Sequence, residues 1–231
     1  MSAADRPDPL PRVLVVVTAI TGIVDAVAFL GLGQIFTAFM TGNILFLGFA
    51  LAGGEGLRPL GSLTAFSAFV CGAVAGNRMG AVLQNRRRRW LLTSSGTASF
   101  LLVVGALFAI DLPNVDAEPR PRHYVVIAAT ALAMGVRSAT MWRLGAVLNT
   151  TLVTGTLVTF LRKSPIGGGR GDDPSNPYRA AGVVAVLTGA AVGTLLLRVS
   201  ITVALLVAAA GVLGAMGGYA LRWAPRQVAE V

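Results

Sequence analysis

Apolar residues come in long runs along this chain, and short polar stretches separate the runs. The apolar segments are residues 13–32, 36–52, 61–83, 90–110, 124–142, 146–161, 178–197 and 201–221. Most of them have about twenty residues, the length with which an α-helix crosses a hydrocarbon layer roughly 30 Å thick. The pattern therefore predicts an all-α fold, a polytopic transmembrane helical bundle.

The composition agrees with a membrane protein and excludes a soluble domain. Of the 231 residues, 55% are hydrophobic and 13% are charged, whereas soluble domains carry about 25% charged residues. The net charge of +9 comes from basic residues at the ends of apolar segments, where membrane insertion retains Lys and Arg on the cytoplasmic side. We therefore expect the lipid bilayer, and no nucleic acid, as the partner of these charges. Residues 1–12 are predicted to be a flexible lead before a single transmembrane domain, 13–231.

Several residues recur 113 positions further along the chain. The recurring pairs are Gly22 and Gly135, Ala26 and Ala139, Thr41 and Thr154, Gly42 and Gly155, Gly76 and Gly189, and Gly80 and Gly193. The constant spacing predicts an internal duplication, with one repeat over 13–110 and a second over 124–221.

The two shortest segments decide how the repeats are oriented. If 36–52 and 146–161 both cross, there are eight helices in two parallel repeats. If both are re-entrant or broken, about six helices form two inverted three-helix repeats. With the N-terminus inside, six crossings put 13 basic residues inside and 4 outside, against 11 and 6 for eight crossings. The positive-inside rule therefore favours six, while seven crossings remain open.

Asp25 is the acidic residue that lies clearly inside an apolar segment, near its predicted midplane position. A carboxylate there costs about 2.5–3.5 kcal/mol on insertion scales, so it is expected to face a polar cavity or a partner. Its counterpart in the second repeat is Ser138, and Arg137 precedes that residue at nearly the same predicted depth. Two interpretations stay open and are compatible: Asp25 binds a proton, a cation or a substrate, or it pairs with Arg137.

Two polar triplets interrupt the short apolar segments at the 113 spacing. They are Thr41-Gly42-Asn43 and Thr154-Gly155-Thr156, and Asn149 adds a polar group before the second one. Irregular backbone at membrane depth survives only where protein or a water-filled cavity satisfies its polar groups. Helices broken at matching positions of two repeats indicate a transporter site. The alternative is ordinary packing of Thr and Gly between helices.

Glycines at four-residue spacing mark several segments. They are Gly72, Gly76 and Gly80, then Gly189 and Gly193, then Gly214 and Gly218. Such small residues allow helices to approach closely. We expect packing within one chain, and a homodimer through these helices is the second interpretation.

The remaining chemistry-bearing residues argue against an enzyme. His123 is the one histidine and is predicted to lie in an exposed loop, and Cys71 is the one cysteine. No His, Cys or acidic cluster has metal-ligand spacing, so neither a metal nor another cofactor is expected. The glycine-rich stretch 167–173 lacks the ending of a phosphate-binding loop and is predicted to be a mobile cytoplasmic linker.

The residues 22–26 (Gly-Ile-Val-Asp-Ala), Phe36 and 41–44 (Thr-Gly-Asn-Ile) resemble the signature of the YoaK family. These are small bacterial multi-pass membrane proteins, classed as a domain of unknown function, and the likeness extends over nearly the whole chain. The family's second motif corresponds to residues 154–156 of this chain. In the same half, the family often has an amide side chain where this chain has Arg137 and Ser138. The resemblance implies an integral protein of the bacterial plasma membrane and, by similarity, a permease; it assigns no substrate.

These observations lead to two hypotheses of different classes. The first is a secondary transporter or permease for a small solute or ion, with its site at the repeat interface. Its predicted site residues are Asp25, Thr41, Gly42, Asn43, Arg137, Ser138, Asn149, Thr154, Gly155 and Thr156. The second is a non-transporting structural or regulatory membrane module, and a passive channel is a further alternative.

Overall fold

The computed structural model describes residues 8–54, 56, 58–113, 119–144, 153–170 and 172–223. Within these residues the regular structure is helical. The helices are α1 (Leu10–Gly31), α2 (Met40–Leu51), α3 (Pro59–Leu83), α4 (Arg87–Phe108), α5 (Pro121–Arg143), α6 (Val153–Lys163), α7 (Asn176–Leu197) and α8 (Ile201–Arg222). A 3-10 turn, Pro165–Gly167, follows α6, and α8 contains a π-helical turn at Leu213–Gly217.

Six of the described helices are long and apolar enough to cross a membrane: α1, α3, α4, α5, α7 and α8, each with 22 to 25 residues. The helices α2 and α6 have 12 and 11 residues. At 1.5 Å per residue these extend about 18 and 16 Å, too short for a crossing. The predicted all-α, multi-pass bundle with about six spans is confirmed.

Several helices begin with signals that the sequence carries. Pro11, Pro59, Pro121 and Pro177 lie in the first turns of α1, α3, α5 and α7, where proline lacks only an N–H that has no partner within the helix. The Ser200 hydroxyl accepts a hydrogen bond from the Val203 N–H at 3.0 Å and so caps α8. These residues fix where the long apolar segments enter the bundle.

The helices α1 and α5 form the centre of the bundle. Helix α1 packs on α7 and α8, and α5 packs on α3 and α4. Helix α2 lies on α3, α6 lies on α7, and α4 contacts α8. The pairs α1–α7, α1–α8 and α2–α3 thus match the pairs α5–α3, α5–α4 and α6–α7.

The central helices run in opposite directions. Leu14 near the start of α1 shares an apolar cluster with Met141 near the end of α5 and with Tyr219 near the end of α8. Arg137 of α5 likewise donates a hydrogen bond to the carbonyl of Val17 in α1. Residue 14 of α1 and residue 141 of α5 therefore lie at the same end of the bundle, so the two helices are antiparallel.

We call this the basic end, because Arg86 and Arg87 at the start of α4 and Arg143 at the end of α5 lie there. Leu91 of α4 belongs to the same apolar cluster as Leu14, so α4 also begins at this end. Helix α1 therefore ends, and α3 begins, at the opposite end. It follows that the segment between α1 and α3, which contains α2, leaves and returns to one end of the bundle.

Close glycine contacts join α3 to α5. A Cβ added to Gly76 would lie 2.7 Å from the carbonyl oxygen of Val136, and one added to Gly72 would meet the backbone of Leu132. Residue numbers rise together along the two helices, so they are parallel. We call these contacts the α3–α5 seam.

A second seam joins α1 to α7 in the same way. A Cβ on Gly193 would lie 2.8 Å from the Cα of Ile23, and one on Gly189 would meet the backbone of Ala19. The glycines of both seams thus serve packing within one chain. By contrast, a Cβ added to Gly214 or Gly218 would meet nothing within 4 Å.

The two seams correct the predicted register of the repeat. Ala19 and Leu132 are 113 positions apart, but the glycines that contact them, Gly189 and Gly72, are 117 apart. The second helix of each half is therefore displaced by four residues, about one turn, relative to the first. By its contacts Gly76 is therefore equivalent to Gly193, and not to Gly189, with which it shares the 113 spacing.

Candidate functional site

Asp25 lies on α1, six residues before its last residue, and its side chain is buried. Its Oδ1 accepts hydrogen bonds from the backbone N–H groups of Thr37 at 2.7 Å and Ala38 at 2.9 Å, and from the Thr37 hydroxyl at 3.0 Å. Its Oδ2 has no hydrogen-bond partner among the described residues. The carboxylate thus holds the segment that precedes α2.

The position of this segment explains why an acid is needed. The chain reverses after α1 through Gly33 and Gln34, with φ angles of 107° and 59°, and returns into the bundle to the level of Asp25. Backbone N–H groups buried there must find acceptors. The carboxylate supplies one, and it also lies near the N-terminus of α2, where the helix dipole favours negative charge.

Asn43 closes the same segment from the other side. Its Oδ1 accepts a hydrogen bond from the Phe36 N–H at 3.0 Å, and its Nδ2 donates to the Phe36 carbonyl at 2.5 Å. Asn43 is fully buried. One amide side chain therefore satisfies both backbone polar groups of a residue in irregular structure.

Gly42 makes room for the ring of Phe36. A Cβ added to Gly42 would lie 2.7 Å from the ring carbon Cδ2. The ring is held in place because it stacks on Phe29 at a centroid distance of 5.1 Å and on Phe46 at 6.2 Å. Thr41, in contrast, is exposed. We call Asp25, Phe36, Thr37, Ala38 and Asn43 the Asp25 centre.

Arg137 forms the polar centre of the second half. Its side chain is only 2% exposed, although it carries a charge. Nη1 donates to the Val17 carbonyl at 3.0 Å, and Nη2 donates to the Thr21 hydroxyl at 2.5 Å. Nε has no hydrogen-bond partner in the described part of the chain. We call Arg137 with Val17 and Thr21 the Arg137 centre.

Buried hydroxyl groups also lie on α1, α4 and α5, the helices around this centre. Thr140 donates to the Val136 carbonyl at 2.9 Å, so its oxygen accepts from Ser94 of α4. Thr18 donates to the Leu14 carbonyl of α1. The buried hydroxyl of Ser138, the counterpart of Asp25, has no partner among the residues described.

The predicted direct pair between Asp25 and Arg137 is wrong. The ion pairs within 4.0 Å among the described residues are Lys163–Asp173 and Arg179–Asp173. Arg137 binds α1 at residues 17 and 21, about 12 and 6 Å along the axis from Asp25. Because α1 and α5 are antiparallel, equivalent positions away from the middle of each helix lie at opposite depths. Asp25 is about 9 Å from the end of α1, and Arg137 is about 9 Å from the basic end.

The second triplet lies apart from the first. Thr154 and Gly155 are exposed, and Thr156 is buried. Their helix, α6, packs on α7, whereas α2 packs on α3. The described structure therefore does not bring the two triplets together, and Asn149 lies outside the described residues.

His123 is not in an exposed loop, as the sequence predicted, but in the first turn of α5. Its side chain is 1% exposed. Nδ1 accepts the Arg120 N–H at 2.9 Å, so Nε2 carries the proton and donates to the Pro113 carbonyl at 3.0 Å. The capping position three residues into a helix that begins at Pro121 is the signal that could have placed it.

Ion pairs connect the end of α6, Asp173 and the first turn of α7. Asp173 pairs with Lys163 and, at 3.0 Å, with Arg179. The Lys163 ammonium, the Ser175 N–H and the Arg179 guanidinium hold the pKa of the Asp173 carboxyl well below its usual range. The mobility of residues 167–173 stays a prediction.

Sequence reasoning missed the partners of the two charges. Thr37 lies in a loop and Val17 contributes only a carbonyl, so neither carries a recognisable signal. Thr21 did offer one, because it lies one turn before Asp25 on the same apolar helix.

The six long helices and the charges buried between them define a polytopic helical membrane protein. The sequence profile of the family DUF1275, described as "Protein of unknown function", matches residues 13–218, and the chain belongs to this family. The chain is also similar to the UPF0700 transmembrane protein YoaK of Bacillus subtilis (strain 168), with 33% identity over 141 residues. This alignment covers 61% of the chain and 60% of that relative's length. The predicted YoaK-family resemblance is thereby confirmed, and no solved structure matches the chain.

Proposed function

We propose that this chain is a secondary transporter or permease for a small solute, and not an enzyme. The observation that carries the proposal is the segment between α1 and α3. It enters the bundle to the level of Asp25, binds that carboxylate through Thr37 and Ala38, and returns through the short helix α2. Non-crossing helical elements next to buried polar groups are typical of transporter sites.

The packing of the two halves supports the proposal. The contacts of α1 with α7 and α8 are matched by those of α5 with α3 and α4, and α1 and α5, the first helices of the halves, are antiparallel. Two inverted three-helix repeats account for this arrangement, with α2 and α6 as the non-crossing elements. Transporters of this construction bind their substrates between the repeats.

The two buried charges also favour a functional interior. A charged side chain in a transmembrane helix costs about 2.5–3.5 kcal/mol on insertion scales. Asp25 and Arg137 form no ion pair within 4.0 Å, although both side chains are buried. Transport of a polar solute between the two ends gives both charges a role.

For orientation, we propose that the basic end is cytoplasmic. Arg86 and Arg87 lie there with Arg143, and so does the start of α1. The positive-inside rule then puts the N-terminus in the cytoplasm of a bacterial cell. A homodimer is a secondary proposal, for which Gly214 and Gly218 are the open glycine surface.

Flux through proteoliposomes tests the proposal. Purified protein is reconstituted with a panel of small neutral, cationic and anionic solutes, with and without a proton or sodium gradient. We expect gradient-dependent uptake of at least one solute above protein-free vesicles. The Asp25→Asn variant is expected to lose most of this flux, whereas Thr41→Val, at the exposed position of the same motif, is expected to retain it.

Two results would overturn the assignment. One is the absence of flux for the whole panel with protein that is monodisperse and helical. The other is undiminished flux in a folded Asp25→Asn variant. Flux that follows every solute gradient without coupling would indicate a passive channel instead.

The second candidate function is a non-transporting membrane module. It is favoured by the hydrogen bonds of Asp25 Oδ1 and Asn43, which account for much of the motif as a device that holds the segment before α2. In that case the wild-type protein gives no solute flux, and Asp25→Asn only lowers its stability.

A further inference from the structure

We propose that the basic end binds the headgroup of an anionic phospholipid, at the place where the end of α3, the start of α4 and the end of α5 meet. The site concerns a lipid partner and does not require transport, so it goes beyond the proposed function. Three features carry it: a helix start without an acidic partner, a buried indole N–H without an acceptor, and an open surface of α4 that continues from them.

Helix α4 begins with arginines at its positive pole. The N-cap and the first turn are residues 86–89, all of them arginine. The first N–H groups of a helix have no partner within it, and its N-terminus favours negative charge. Here the N-cap side chain accepts no hydrogen bond, and no acid lies in the first turn. None of these arginines takes part in an ion pair within 4.0 Å among the described residues. An anion at this place would therefore offset charge and accept from the N–H groups.

A buried donor lies at the same place. Trp90 is 6% exposed, and its indole Nε1 has no hydrogen-bond partner among the residues that the structure describes. Side chains in a helix lean toward its N-terminus, so the ring of Trp90 lies beside the first turn of α4. A buried N–H without an acceptor is costly, and buried indole groups usually have a partner. The indole thus favours an acceptor next to the start of α4.

Arg143, the last residue of α5, adds a guanidinium to this donor. A Cβ added to Gly80 of α3 would lie 2.9 Å from the Nε of Arg143 and 3.4 Å from the Nε1 of Trp90. Both nitrogens therefore lie against the same glycine. Arg143 is exposed, and within the described part of the chain it forms no ion pair within 4.0 Å. A phosphate group beside Gly80 can accept from the indole and from the guanidinium together.

The surface of α4 that continues from this place is open. Positions 89, 93, 96 and 100 lie on one face of the helix, because they are three or four residues apart. Arg89 and Thr93 are exposed, and Phe100 is 66% exposed. A Cβ added to Gly96 would meet nothing within 4 Å. A lipid can therefore approach from within the bilayer, with its phosphate beside the start of α4 and an acyl chain along Gly96 and Phe100.

The charge around the phosphate favours an anionic headgroup over a zwitterionic one. Arg143 and the arginines at 86–89 put a cluster of positive charge there. These charges would repel the ammonium of a choline or ethanolamine headgroup, whereas a glycerol headgroup carries no such charge. Trp142, next to Arg143, is 63% exposed, as aromatic residues at a membrane interface are. Free phosphate has the charge but makes no use of the apolar face of α4.

Lipid binding is measured on the purified protein by native mass spectrometry from a neutral detergent. Phosphatidylglycerol and phosphatidylcholine with the same acyl chains are titrated, and inorganic phosphate is the soluble control. We expect phosphatidylglycerol to bind about tenfold more tightly than phosphatidylcholine, the effect of one hydrogen bond to a charged group. Inorganic phosphate in large excess is expected not to displace it.

Two variants test the donors. Arg143→Gln removes the exposed charge, and Trp90→Phe removes the indole N–H but keeps an aromatic ring. Each is expected to raise the dissociation constant of phosphatidylglycerol about tenfold.

The matched control is Arg78→Gln, which removes an exposed charge near the same end of α3. Arg78 is two positions from Gly80 and therefore about 200° around the helix from it. We expect this variant to keep the wild-type affinity.

Several results contradict the site. Equal affinity of the wild type for the two lipids rejects it, as does unchanged affinity in Trp90→Phe. An equal loss in Arg143→Gln and Arg78→Gln would indicate diffuse attraction of anionic lipid to the whole basic end. Displacement by inorganic phosphate would indicate a site for free anions instead. Because Arg143 is exposed, Arg143→Gln is expected to fold, so the test does not depend on a substitution in the core.

Discussion

The two polar centres occupy matching positions of the two halves but satisfy their charges in different ways. Asp25 accepts hydrogen bonds from the backbone of an irregular segment, through Thr37 and Ala38. Arg137 donates to a carbonyl and a hydroxyl of the neighbouring helix, Val17 and Thr21. The helix packing is common to both halves, whereas the chemistry at the end of the first helix is not.

The difference has a physical reason. A carboxylate only accepts hydrogen bonds, and a chain that turns inside the bundle exposes N–H donors that need an acceptor. A guanidinium only donates, and most carbonyls of a regular helix are already engaged within it. Asp25 therefore fits a re-entrant segment, while Arg137 makes fewer bonds than its five donors allow.

The largest effect is expected in the scaffold that the halves share. Gly189→Ala and Gly72→Ala each put a Cβ against the backbone of the neighbouring helix. We expect either change to lower the free energy of unfolding by about 3 kcal/mol or more, because two backbones must separate. Unfolding in mixed micelles measures this.

The control for this prediction is Gly96→Ala in α4, where an added Cβ meets nothing within 4 Å. It should be neutral or stabilising by up to about 1 kcal/mol, since Ala favours helix. Similar losses for Gly189 and Gly72 would support the equivalence of the seams. A tolerated Gly189→Ala would contradict the close approach of α1 and α7.

The next effect separates the two centres directly. Asp25→Ala removes the acceptor of two buried N–H groups, on Thr37 and Ala38. We expect a loss of about 2–3 kcal/mol from these unsatisfied donors. Ser138→Ala, at the matching position of the second half, removes a hydroxyl without a described partner. It should cost less than about 0.5 kcal/mol, and equal losses in the two unfolding measurements would refute the contrast.

A smaller effect concerns the aromatic packing in the Asp25 centre. Gly42→Ala should displace the ring of Phe36 and cost about 1–2 kcal/mol. Gly48→Ala in the same helix is the matched control, because an added Cβ has open space there. Thermal unfolding compares the two variants, and an equal midpoint would show that the ring yields without cost.

The smallest effect lies in the link between α6 and α7, which is longer than the link between α2 and α3. The pKa of Asp173 is lowered in the folded protein, so its contribution is complete above the unfolded value of about 3.9. It is lost only as the pH falls through the still lower folded value. Asp173→Asn should therefore lower the unfolding midpoint slightly at pH 5 to 8, and the difference should shrink only below pH 4. A difference that grew on acidification would contradict the ion pairs.

The positions of the crossing helices could be predicted because length and apolarity alone decide them. The segments 13–32 and 178–197 correspond to α1 (Leu10–Gly31) and α7 (Asn176–Leu197), with shifts of a few residues at their starts. The sequence also favours a short segment 36–52 that does not cross the membrane, and its helix, α2, has 12 residues. Asp25 stood out because an acid is costly in apolar surroundings.

The partners of the polar residues could not be predicted from spacing. The Asp25 and Arg137 positions differ by almost the repeat spacing, which favoured a direct pair. The antiparallel course of α1 and α5 separates them in depth instead, and the displacement of α3 and α7 by one turn changes which glycines are equivalent. Neither feature leaves a trace in a local window of the sequence.

The sequence by itself determined that this protein lies in a lipid bilayer, how many long helices it has and to which family it belongs. These properties follow from runs of apolar residues and short motifs, which are local in the sequence. The tertiary structure decided which backbone groups the buried acid satisfies, and that the buried cation keeps an unused donor. Those outcomes depend on helix direction and register, which are set by close contacts between residues far apart in the chain.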